Sequence, residues 1–496
     1  MAAPATERSL SELGLAVPGG SAFRVTGLAV DSRAVTRGDL FAALPGSQIH
    51  GARFVPGALR LGAAAVLTDR EGERIAHDAL SAAGVPVVIA EDPRQTLAYV
   101  AALWFGRQPE TAVAVTGTNG KTSVATFTRQ LWMAMGIEAV NIGTTGVEGC
   151  YSVPLEHTTP EPITLHRILA DVAGEGIDHA VMEASSHGLE QRRVDGVRLT
   201  AAAFTNFSQD HLDYHGDFAA YFAAKAGLFD RVLPEDGTAV VNTDDPMGPE
   251  IVEIAQSRGA DILTIGRDDQ AALQLVAQRF DATGQELRYA WNGQARQVRL
   301  PLIGGFQAEN ALVAAGLVIA SGCAPAEVFE ALPMLTTVRG RMQLAATREN
   351  GAAVFVDYSH TPAALETALR AMRPHVLGRL VVVIGAGGDR DRGKRPLMGN
   401  AAERLADVAI VTDDNPRSED PAAIRAEVLQ GCPAATEVGD RAEAILRGVD
   451  ILEPGDALLI AGKGHETGQV VGDTVFPFDD AEQASVAVAA LDGRVA

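Results

Sequence analysis

The chain has few cysteines and no long apolar run. Only three of its 496 residues are cysteine, and Cys150, Cys323 and Cys432 are far apart with no CxxC pair among them. This distribution argues against a disulfide framework or a zinc ribbon and favours a reducing compartment. No run approaches the roughly 18–20 apolar residues that span a bilayer, and the opening MAAPATERSLSEL has no basic segment followed by an apolar stretch. We therefore expect a cytoplasmic protein without membrane insertion.

Positive charge is also scarce. The chain carries 41 lysines and arginines against 63 aspartates and glutamates, a formal net charge of −22. Such an acidic protein binds nucleic acid or anionic membranes poorly, so we expect no nucleic-acid partner, and anionic ligands need local sites. The 51 glycines and the apolar fraction of 47% are typical of a large α/β enzyme. At roughly 100–200 residues per domain, the length favours about three domains.

The fold class predicted from the pattern is α/β, because short β-branched runs alternate with Ala- and Leu-rich helical stretches along the chain. We place domain boundaries near residue 108, where glycine and proline interrupt a helical stretch, and near Gly340. The predicted domains are residues 1–108, 109–339 and 340–496. The predicted strands are 63–68 and 86–90 in the first, 111–115, 179–182, 201–204 and 239–241 in the second, and 354–356, 380–384, 409–412 and 458–461 in the third.

Polar residues follow the predicted strands of the second and third domains. In the second domain the strands end on TGTNGKTS, EASSH, TNFSQDH and NTDD. In the third they end on DYSHTP, GAGGDRDRGKRP, DDNPR and GKGHE. Because the ligand crevice of a parallel sheet lies at the carboxyl ends of its strands, each domain is predicted to have one polar binding surface. Two such surfaces predict a cleft between domains.

The segment TGTNGKTS lies between a buried strand and a helix and is typical of a phosphate-binding loop. Its glycines let successive backbone N–H groups face an anion, its lysine adds a positive charge, and the next threonine offers a ligand for Mg²⁺. The loop is shorter than the full GxxxxGK pattern, and the alternative interpretation is an ordinary strand–helix turn. The predicted ATP-binding residues here are Gly117, Thr118, Asn119, Gly120, Lys121, Thr122 and Ser123.

Carboxylates and histidines follow the next two strands. Glu183 precedes Ser185, Ser186 and His187, and a second group comprises Asp210, His211, Asp213 and His215. Oxygen and imidazole ligands at adjacent strand ends could hold Mg²⁺ beside bound phosphates. Taken singly, each is as readily a helix cap or a surface residue, so the metal prediction depends on their convergence with the phosphate loop. Zinc is disfavoured because no cysteine thiolate lies near these residues in the sequence.

The order of the motifs resembles the Mur ligases. TGTNGKTS, MEASSHGLEQRRVDG, FTNFSQDHLDYHG, AYFAAKAGLF, FQAENAL, GRM, DYSHTP, GDRDRGKRP, DDNPR and GKGHE follow one another over essentially the whole chain. Within the family, the series is most similar to the branch that adds meso-2,6-diaminopimelate to UDP-MurNAc-L-Ala-D-Glu. The resemblance implies three domains: one that binds the UDP-sugar, a central P-loop ATPase with a parallel-type sheet, and a C-terminal Rossmann-like domain that binds the amino acid.

The resemblance also implies the residues that bind the UDP-sugar substrate. Read alone, Ser32 is a turn residue, because Asp-Ser after a strand is common turn chemistry. Which of the adjoining Arg192 and Arg193 faces the substrate is open. The implied UDP-sugar-binding residues are Val30, Ser32, Ser47, Gln48, Ile49, Thr158, Thr159, Ser185, Gln191 and Arg193.

Lys225 is, from the sequence alone, a solvated lysine on a helix. The resemblance implies instead that it is carbamylated and holds a second Mg²⁺. It further implies that Asn310 contacts the base or ribose of ATP and that Arg341 reaches the γ-phosphate. Arg339, at the predicted boundary between the second and third domains, stands where the family usually has proline. The backbone of this interdomain hinge is therefore less fixed here. The implied catalytic residues are Lys121, Lys225, His211 and Arg341, and the implied metal ligands are Thr122, Glu183, His211 and Lys225.

For the amino acid, the resemblance implies a site built around DDNPR. Arg417 would pair with the distal carboxylate of diaminopimelate, since its planar fork suits a carboxylate, while Asp414 and Glu466 would bind the distal amine. Arg390 would bind the carboxylate beside the attacking nitrogen. Taken alone, DNPR is equally a surface turn. The implied diaminopimelate-binding residues are Arg390, Asp414, Asn415, Pro416, Arg417, Gly462 and Glu466.

The implied reaction uses ATP as a substrate and Mg²⁺ as a cofactor to form an acyl phosphate on the D-Glu γ-carboxylate, which the amine of diaminopimelate then attacks. We expect a monomer. Three alternatives stay open: a lysine-adding branch of the same family, a folylpolyglutamate-synthetase-like ligase with a similar phosphate loop, and a nucleotide-gated regulatory protein without ligase activity. The base that deprotonates the amine is not assigned.

Overall fold

The computed structural model of the chain describes residues 7–46, 49–209 and 212–493. The chain packs into two compact units. Unit 1 comprises Met1–Thr264 with Gly316–Ala324, and unit 2 comprises Ile265–Ala315 with Pro325–Ala496. No helix among the described residues is long and apolar enough to cross a membrane.

Unit 1 begins with a small parallel sheet covered by helices. Asp69 and Asp92 cap two of these helices, because each carboxylate accepts a hydrogen bond from the backbone N–H three residues on, at 2.7 and 3.0 Å. Gly84 and Gly106 end the same helices in the left-handed conformation. The parallel strands are, in spatial order, Gly27–Ala29, Asp39–Ala42, Ala65–Thr68 and Val87–Ile89; an antiparallel pair comprises Arg8–Ser9 and Arg24–Val25; the helices are Gly51–Phe54, Val55–Leu61, Arg70–Ala83 and Pro93–Phe105.

The second sheet of unit 1 is parallel except at one edge. Its register sets Glu183 beside Val115 and Phe204 beside Thr116, so the neighbouring strands end at one level. The loops that follow them therefore lie together, as the sequence predicts. The strands are, in spatial order, Thr238–Asn242, Leu199–Phe204, Thr111–Thr116, His179–Glu183, Ala139–Gly143 and Gly146–Gly149. The helices are Lys121–Ala134, Pro162–Gly174, Ser186–Glu190, Leu212–His215, Phe218–Gly227, Leu228–Val232 and Gly248–Ser257.

Unit 2 contains an antiparallel meander that the sequence analysis did not predict. Its strands carry polar residues on both faces between the apolar positions, which obscures the alternation that identifies a strand. The strand Asp261–Gly266, in which the division between the units falls, pairs with the meander in parallel through Ile265 and Leu273. The meander strands are Leu273–Asp281, Gly284–Trp291 and Gln294–Leu300. The helices that follow are Phe306–Ala320, whose last residues from Gly316 onward belong to unit 1, Pro325–Ala331 and Leu332–Met334.

The rest of unit 2 is a Rossmann-like sheet with an apolar core on each face. Every residue of its central strands Leu380–Ile384 and Ala457–Ala461 is buried, which explains their unbroken apolar sequences. The strands are, in spatial order, Gln343–Thr347, Ala353–Asp357, Ala457–Ala461, Leu380–Ile384, Val408–Val411 and Thr436–Glu437, with a separate hairpin of Gly468–Val471 and Thr474–Pro477. The helices are Pro362–Met372, Arg373–His375, Lys394–Leu405, Pro421–Leu429, Arg441–Asp450 and Asp480–Leu491.

Candidate active site

The phosphate loop, residues 116–123, connects a central strand of unit 1 to the helix Lys121–Ala134. Gly117 and Gly120 have φ angles of 146° and 88°, which residues with side chains rarely adopt. A Cβ atom at Gly117 would lie only 1.9 Å from Oγ1 of Thr205. The shape of the loop therefore requires both glycines. The loop ends at the N-terminus of the helix Lys121–Ala134, which carries the positive end of the helix dipole.

Lys121 and a neighbouring strand end hold the loop. Nζ of Lys121 donates to the carbonyl oxygens of Gly117 at 2.8 Å and Thr118 at 2.9 Å. Oδ1 of Asn206 accepts a hydrogen bond from the N–H of Asn119 at 2.9 Å. The predicted phosphate-binding residues are thus one braced structure rather than a loose turn.

Glu183 joins this loop to the rest of the site. Its side chain is buried, and Oε2 accepts hydrogen bonds from Oγ1 of Thr122 at 3.0 Å and from Oγ1 of Thr144 at 3.3 Å. Oε1 accepts from the backbone N–H of Thr144 at 2.8 Å. The structure therefore brings together two of the predicted metal ligands, Thr122 and Glu183, and adds Thr144, which the sequence analysis missed.

The residues predicted to bind the acceptor substrate lie beside Glu183. Oγ1 of Thr159 donates to the Glu183 carbonyl at 2.8 Å and lies 3.0 Å from Oγ of Ser185. The guanidinium of Arg193 donates to the Thr159 carbonyl at 2.7 Å and to Oε1 of Gln191 at 2.8 Å. Four of the residues predicted to bind the acceptor substrate, Thr159, Ser185, Gln191 and Arg193, therefore form one hydrogen-bonded group.

The two adjoining arginines point to different partners. Arg192 donates to Oδ2 of Asp92 at 2.8 Å, at the start of the helix Pro93–Phe105. Arg193, by contrast, contacts Thr159, one of the residues predicted to bind the acceptor substrate. Burial lowers the pKa of its guanidinium. The geometry thus favours Arg193 over Arg192 as the residue that faces the substrate.

Lys225 is buried, so its interpretation from the sequence alone as a solvated lysine is wrong. Only 1% of the residue is exposed, and Nζ donates to the Gly117 carbonyl at 2.7 Å. Nζ also lies 4.6 Å from the ring centroid of Tyr221. The helix Phe218–Gly227 thus places this side chain against the phosphate loop. The alanines around Lys225 in the sequence did not indicate that it is buried.

The oxygen atoms at this end of the sheet suit Mg²⁺. Magnesium prefers carboxylate and hydroxyl oxygens, usually with one or two protein ligands and substrate phosphates, and Glu183 and Thr122 supply such oxygens next to the loop. Within the part of the chain that the structure describes, no group of three or more His, Cys, Asp or Glu residues could hold a metal ion without further ligands. His211, predicted as a ligand and catalytic residue, lies outside the described residues.

In unit 2, the predicted amino-acid site forms around a buried lysine. Nζ of Lys463 donates to Oδ1 of Asn415 at 2.8 Å and to the Gly468 carbonyl at 2.7 Å. It lies 3.8 Å from a carboxylate oxygen of both Asp414 and Glu466. Burial lowers the pKa of Lys463, and the two carboxylates oppose that effect. The sequence analysis missed Lys463, although it is the second residue of the GKGHE motif.

Backbone geometry brings GKGHE close to DDNPR. Gly462 has a φ angle of 119°, and a Cβ there would lie 2.7 Å from Oδ2 of Asp414. Arg441, fully buried, pairs with both oxygens of Asp480 at 2.7 Å and donates to the Ala461 carbonyl at 3.0 Å. This pairing raises the pKa of Arg441 and fixes the strand end below Gly462.

The two predicted carboxylate-binding arginines also belong to unit 2. Arg417 has a positive φ of 51°, and its Nη1 donates to the Gly388 carbonyl at 2.8 Å. A Cβ at Gly388 would lie 1.9 Å from the Pro416 carbonyl oxygen, so only glycine fits there. Arg390 makes one long hydrogen bond, 3.3 Å, to the Asp389 carbonyl. One side of the Arg417 guanidinium is thus engaged with the backbone at Gly388.

Arg341 lies over an aromatic ring in unit 2. Its guanidinium carbon is 4.5 Å from the ring centroid of Tyr358, and the ring of His465 lies 5.1 Å from the same centroid. Burial, together with the charges of Arg341 and Arg339, lowers the pKa of His465 to about 4. His465 is therefore neutral near pH 7, and Arg341 is the cation of this group.

The remaining predicted residues are more scattered. Val30 is 37% and Ile49 is 53% exposed, and Ser32 lies between Asp31 and Arg33, which form a surface ion pair at 2.7 Å. Asn310 is buried in unit 2 and donates to Oε1 of Gln307 at 3.0 Å. Ser47 and Gln48 lie outside the described residues.

Comparisons with known proteins place these motifs in a family. Residues 24–105 match the model "Mur ligase family, catalytic domain", residues 115–318 the "Mur ligase middle domain" and residues 340–464 the "Mur ligase, glutamate ligase domain". A relative from Brucella melitensis, named UDP-N-acetylmuramoyl-L-alanyl-D-glutamate--2,6-diaminopimelate ligase, is 49% identical over 469 residues, or 94% of each chain. The chain belongs to the Mur ligase family.

A second relative and two solved structures are also similar to the chain over most of its length. A relative with the same name from Bradyrhizobium diazoefficiens is 49% identical over 97% of each chain. A solved structure of a diaminopimelate ligase with that name superposes with a TM-score of 0.74 at 34% identity, covering 98% of this chain and 99% of the other. A folylpolyglutamate synthase of Mycobacterium tuberculosis complexed with ADP, at 20% identity and a TM-score of 0.60, covers 74% of this chain and 91% of its own, and shares the fold.

Proposed function

We infer that this Mur ligase uses ATP to join meso-2,6-diaminopimelate to the γ-carboxylate of the D-Glu residue in UDP-MurNAc-L-Ala-D-Glu, in peptidoglycan precursor synthesis. The observation that carries this proposal is the cluster in unit 2 of Asp414, Asn415, Lys463 and Glu466, with Arg417 next to Asn415, which offers charges of both signs. Relatives that are 46–49% identical to this chain are named for that reaction.

Activation of the acceptor is the first step of the proposed reaction. A carboxylate does not condense with an amine at neutral pH without activation, so an oxygen of the γ-carboxylate attacks the γ-phosphorus of ATP and ADP leaves. The N–H groups of the phosphate loop and the Lys121 ammonium stabilise the negative charge on the phosphate oxygens. Lys121 lies at the start of a helix, where its charge and the helix dipole add.

Glu183 and Thr122 are the residues that would hold Mg²⁺ beside these phosphates. When bound, the ion neutralises phosphate charge and polarises the phosphorus–oxygen bonds. The chain's own contribution is the hydrogen bond of 3.0 Å between Thr122 and Glu183, which aligns the two oxygen donors.

Lys225 is proposed to carry a carbamate. Neutral Nζ would attack the carbon of CO₂ and lose a proton, so that a cation is replaced by a carboxylate beneath the phosphate loop. Burial supports the assignment, since a desolvated lysine is more easily neutral than a solvated one. Its hydrogen bond to the Gly117 carbonyl, 2.7 Å long, supports a position at the loop itself.

The acceptor is proposed to bind through the group around Thr159. Thr158, Thr159 and Ser185 offer hydroxyl groups. Arg193 offers a guanidinium that has further N–H groups besides those bonded to the Thr159 carbonyl and to Gln191. These donors suit the carboxylates of the muramoyl dipeptide. Val30, Ser32 and Ile49 are proposed to contact the uridine part.

Amide formation is the second proposed step. The amine nitrogen of diaminopimelate attacks the acyl carbon, phosphate leaves, and the amine loses a proton. Arg417 is proposed to bind the distal carboxylate, Asp414 and Glu466 the distal amine, and Arg390 the carboxylate next to the attacking nitrogen. L-lysine lacks the distal carboxylate and would leave Arg417 without its partner, so we propose diaminopimelate rather than lysine as the substrate.

Three functional domains are proposed with the boundaries 1–108, 109–339 and 340–496. The matches to the three Mur ligase models, at 24–105, 115–318 and 340–464, support these boundaries. We also propose that the protein acts as a monomer in the cytoplasm, where ATP is available.

Release of inorganic phosphate tests the proposed function. We expect phosphate from ATP only when UDP-MurNAc-L-Ala-D-Glu and diaminopimelate are both present, and an amide product in equal amount. The Lys121→Ala variant should keep its circular dichroism spectrum and lose turnover, because it removes one loop charge. ATP hydrolysis independent of any amino acid would instead favour a regulatory P-loop protein, and glutamate-dependent turnover would favour a folylpolyglutamate-type ligase.

A further inference from the structure

Thr144 stands between two groups that serve different substrates. Its Oγ1 lies 3.0 Å from Oγ1 of Thr158, in the proposed acceptor group. The same Oγ1 lies 3.3 Å from Oε2 of Glu183, which also accepts from Thr122 at the phosphate loop. One hydroxyl thus contacts the acceptor side and the nucleotide side of unit 1.

A threonine hydroxyl has a single proton to donate. In one arrangement Thr144 donates to Oε2 of Glu183 and accepts from Thr158. That oxygen then has both its lone pairs engaged, one by Thr144 and one by Thr122. In the other arrangement Thr144 donates to Thr158 and leaves one lone pair of Glu183 free. The two arrangements exclude each other.

We propose that Thr144 is a positioning residue that couples occupancy of the acceptor site to the binding of nucleotide and its cation at Glu183. This inference rests on the proposed function. A carboxylate bound at Thr158 accepts the hydrogen bond that this hydroxyl donates, so Thr158 becomes an acceptor for Thr144. Thr144 then turns its proton away from Glu183, whose freed lone pair serves a cation.

Backbone geometry keeps Glu183 in place during this change. The N–H of Thr144 holds Oε1 at 2.8 Å whichever way the hydroxyl is turned. The glycine before it has no room for a side chain, since a Cβ at Gly143 would lie 2.1 Å from Oε1. Only the hydroxyl proton has two positions, so the switch requires no movement of the sheet.

Calorimetric binding measures this coupling without turnover. The affinity for a non-hydrolysable ATP analogue with Mg²⁺ is determined with and without saturating UDP-MurNAc-L-Ala-D-Glu, in the intact chain. We expect the acceptor to tighten nucleotide binding about tenfold, within the range usual for coupled sites. By linkage, the nucleotide must tighten acceptor binding by the same factor.

Two variants of Thr144 and one of its neighbour make the test specific. Thr144→Val keeps the shape and removes the hydroxyl, so the coupling should fall below about twofold while each ligand alone still binds. Thr144→Ser keeps the hydroxyl and should retain the coupling. Thr145→Val is the matched control, since the buried Oγ1 of Thr145 has no hydrogen-bond partner among the residues that the structure describes, and it should behave as the wild type.

The contrary results are distinct. Undiminished coupling in Thr144→Val, or no coupling in the wild type although both ligands bind, overturns the role of Thr144 and leaves the proposed function standing. An acceptor that does not bind at all refutes the proposed function itself. If Thr144→Val does not fold, Thr158→Val interrupts the same contact from the other end, and coupling that persists there overturns the proposal.

Discussion

Removal of the Lys463 charge tests the amino-acid site of unit 2. Lys463 is fully buried, donates two hydrogen bonds of 2.7 and 2.8 Å, and lies 3.8 Å from two carboxylates. Losing one partner of a buried ion pair costs about 3–5 kcal/mol. The Glu466 side chain is 35% exposed, so water screens part of this interaction. We therefore expect Lys463→Gln to lose about 2–3 kcal/mol of folding free energy.

The assay combines thermal unfolding with steady-state kinetics. A loss of that size corresponds to a fall of roughly 4–12 °C in the melting temperature of a unit this large. The KM for diaminopimelate should rise at least about tenfold because Asn415 and Glu466 lose their fixed positions. The KM for ATP should change less than the KM for diaminopimelate, since the phosphate loop belongs to unit 1. Lys463→Arg should retain more of both properties.

A surface variant supplies the control for this prediction. Arg447 pairs with Glu443 on an exposed helix face, with side chains 54% and 49% exposed. Arg447→Gln should therefore leave both melting temperature and KM within error. A Lys463→Gln protein with wild-type melting temperature and wild-type KM for diaminopimelate would refute the reasoning.

Three further predictions concern the two units. Lys225→Ala should be nearly inactive and partly rescued by acetate, measured as phosphate release; full activity without rescue would exclude the carbamate. Arg417→Ala should lower the preference for diaminopimelate over L-lysine by roughly thirtyfold or more, measured as the ratio of kcat/KM values, and an unchanged ratio would contradict its role. Burial lowers the pKa of His166 from 6.5 to about 4, so the unfolded chain takes up a proton that the folded chain does not, and stability should fall as the pH drops from 6.5 towards 4. His166→Gln should flatten that fall in urea unfolding, and an equally steep decline would show that other groups cause it.

The parallel strands and the phosphate loop could be predicted because local sequence specifies them. All ten predicted strands are present, with ends that differ by at most two residues. Thr122 and Glu183 are 61 residues apart, yet the expectation that they meet is confirmed at 3.0 Å. Parallel strands that end at one level bring such residues together, and this rule needs only the strand positions.

Residues whose role depends on tertiary packing could not be predicted from local sequence. Lys225 has the pattern of a surface lysine, and its burial is produced by the phosphate loop and Tyr221, which the sequence does not place beside it. Lys463 follows an apolar strand and resembles a strand-end charge. Thr144 follows the strand Ala139–Gly143, which the sequence analysis did not predict. A strand prediction there would have placed Thr144 at the same edge as Glu183.

The fate of the acceptor's carboxylate oxygen tests the central claim most directly. The intact protein is incubated with ATP, diaminopimelate and UDP-MurNAc-L-Ala-D-Glu whose γ-carboxylate carries heavy oxygen, and the inorganic phosphate is analysed by mass spectrometry. An acyl phosphate transfers one carboxylate oxygen to phosphate for each amide bond formed, so we predict one labelled oxygen per phosphate released. Unlabelled phosphate, or AMP and pyrophosphate in place of ADP, would contradict the account.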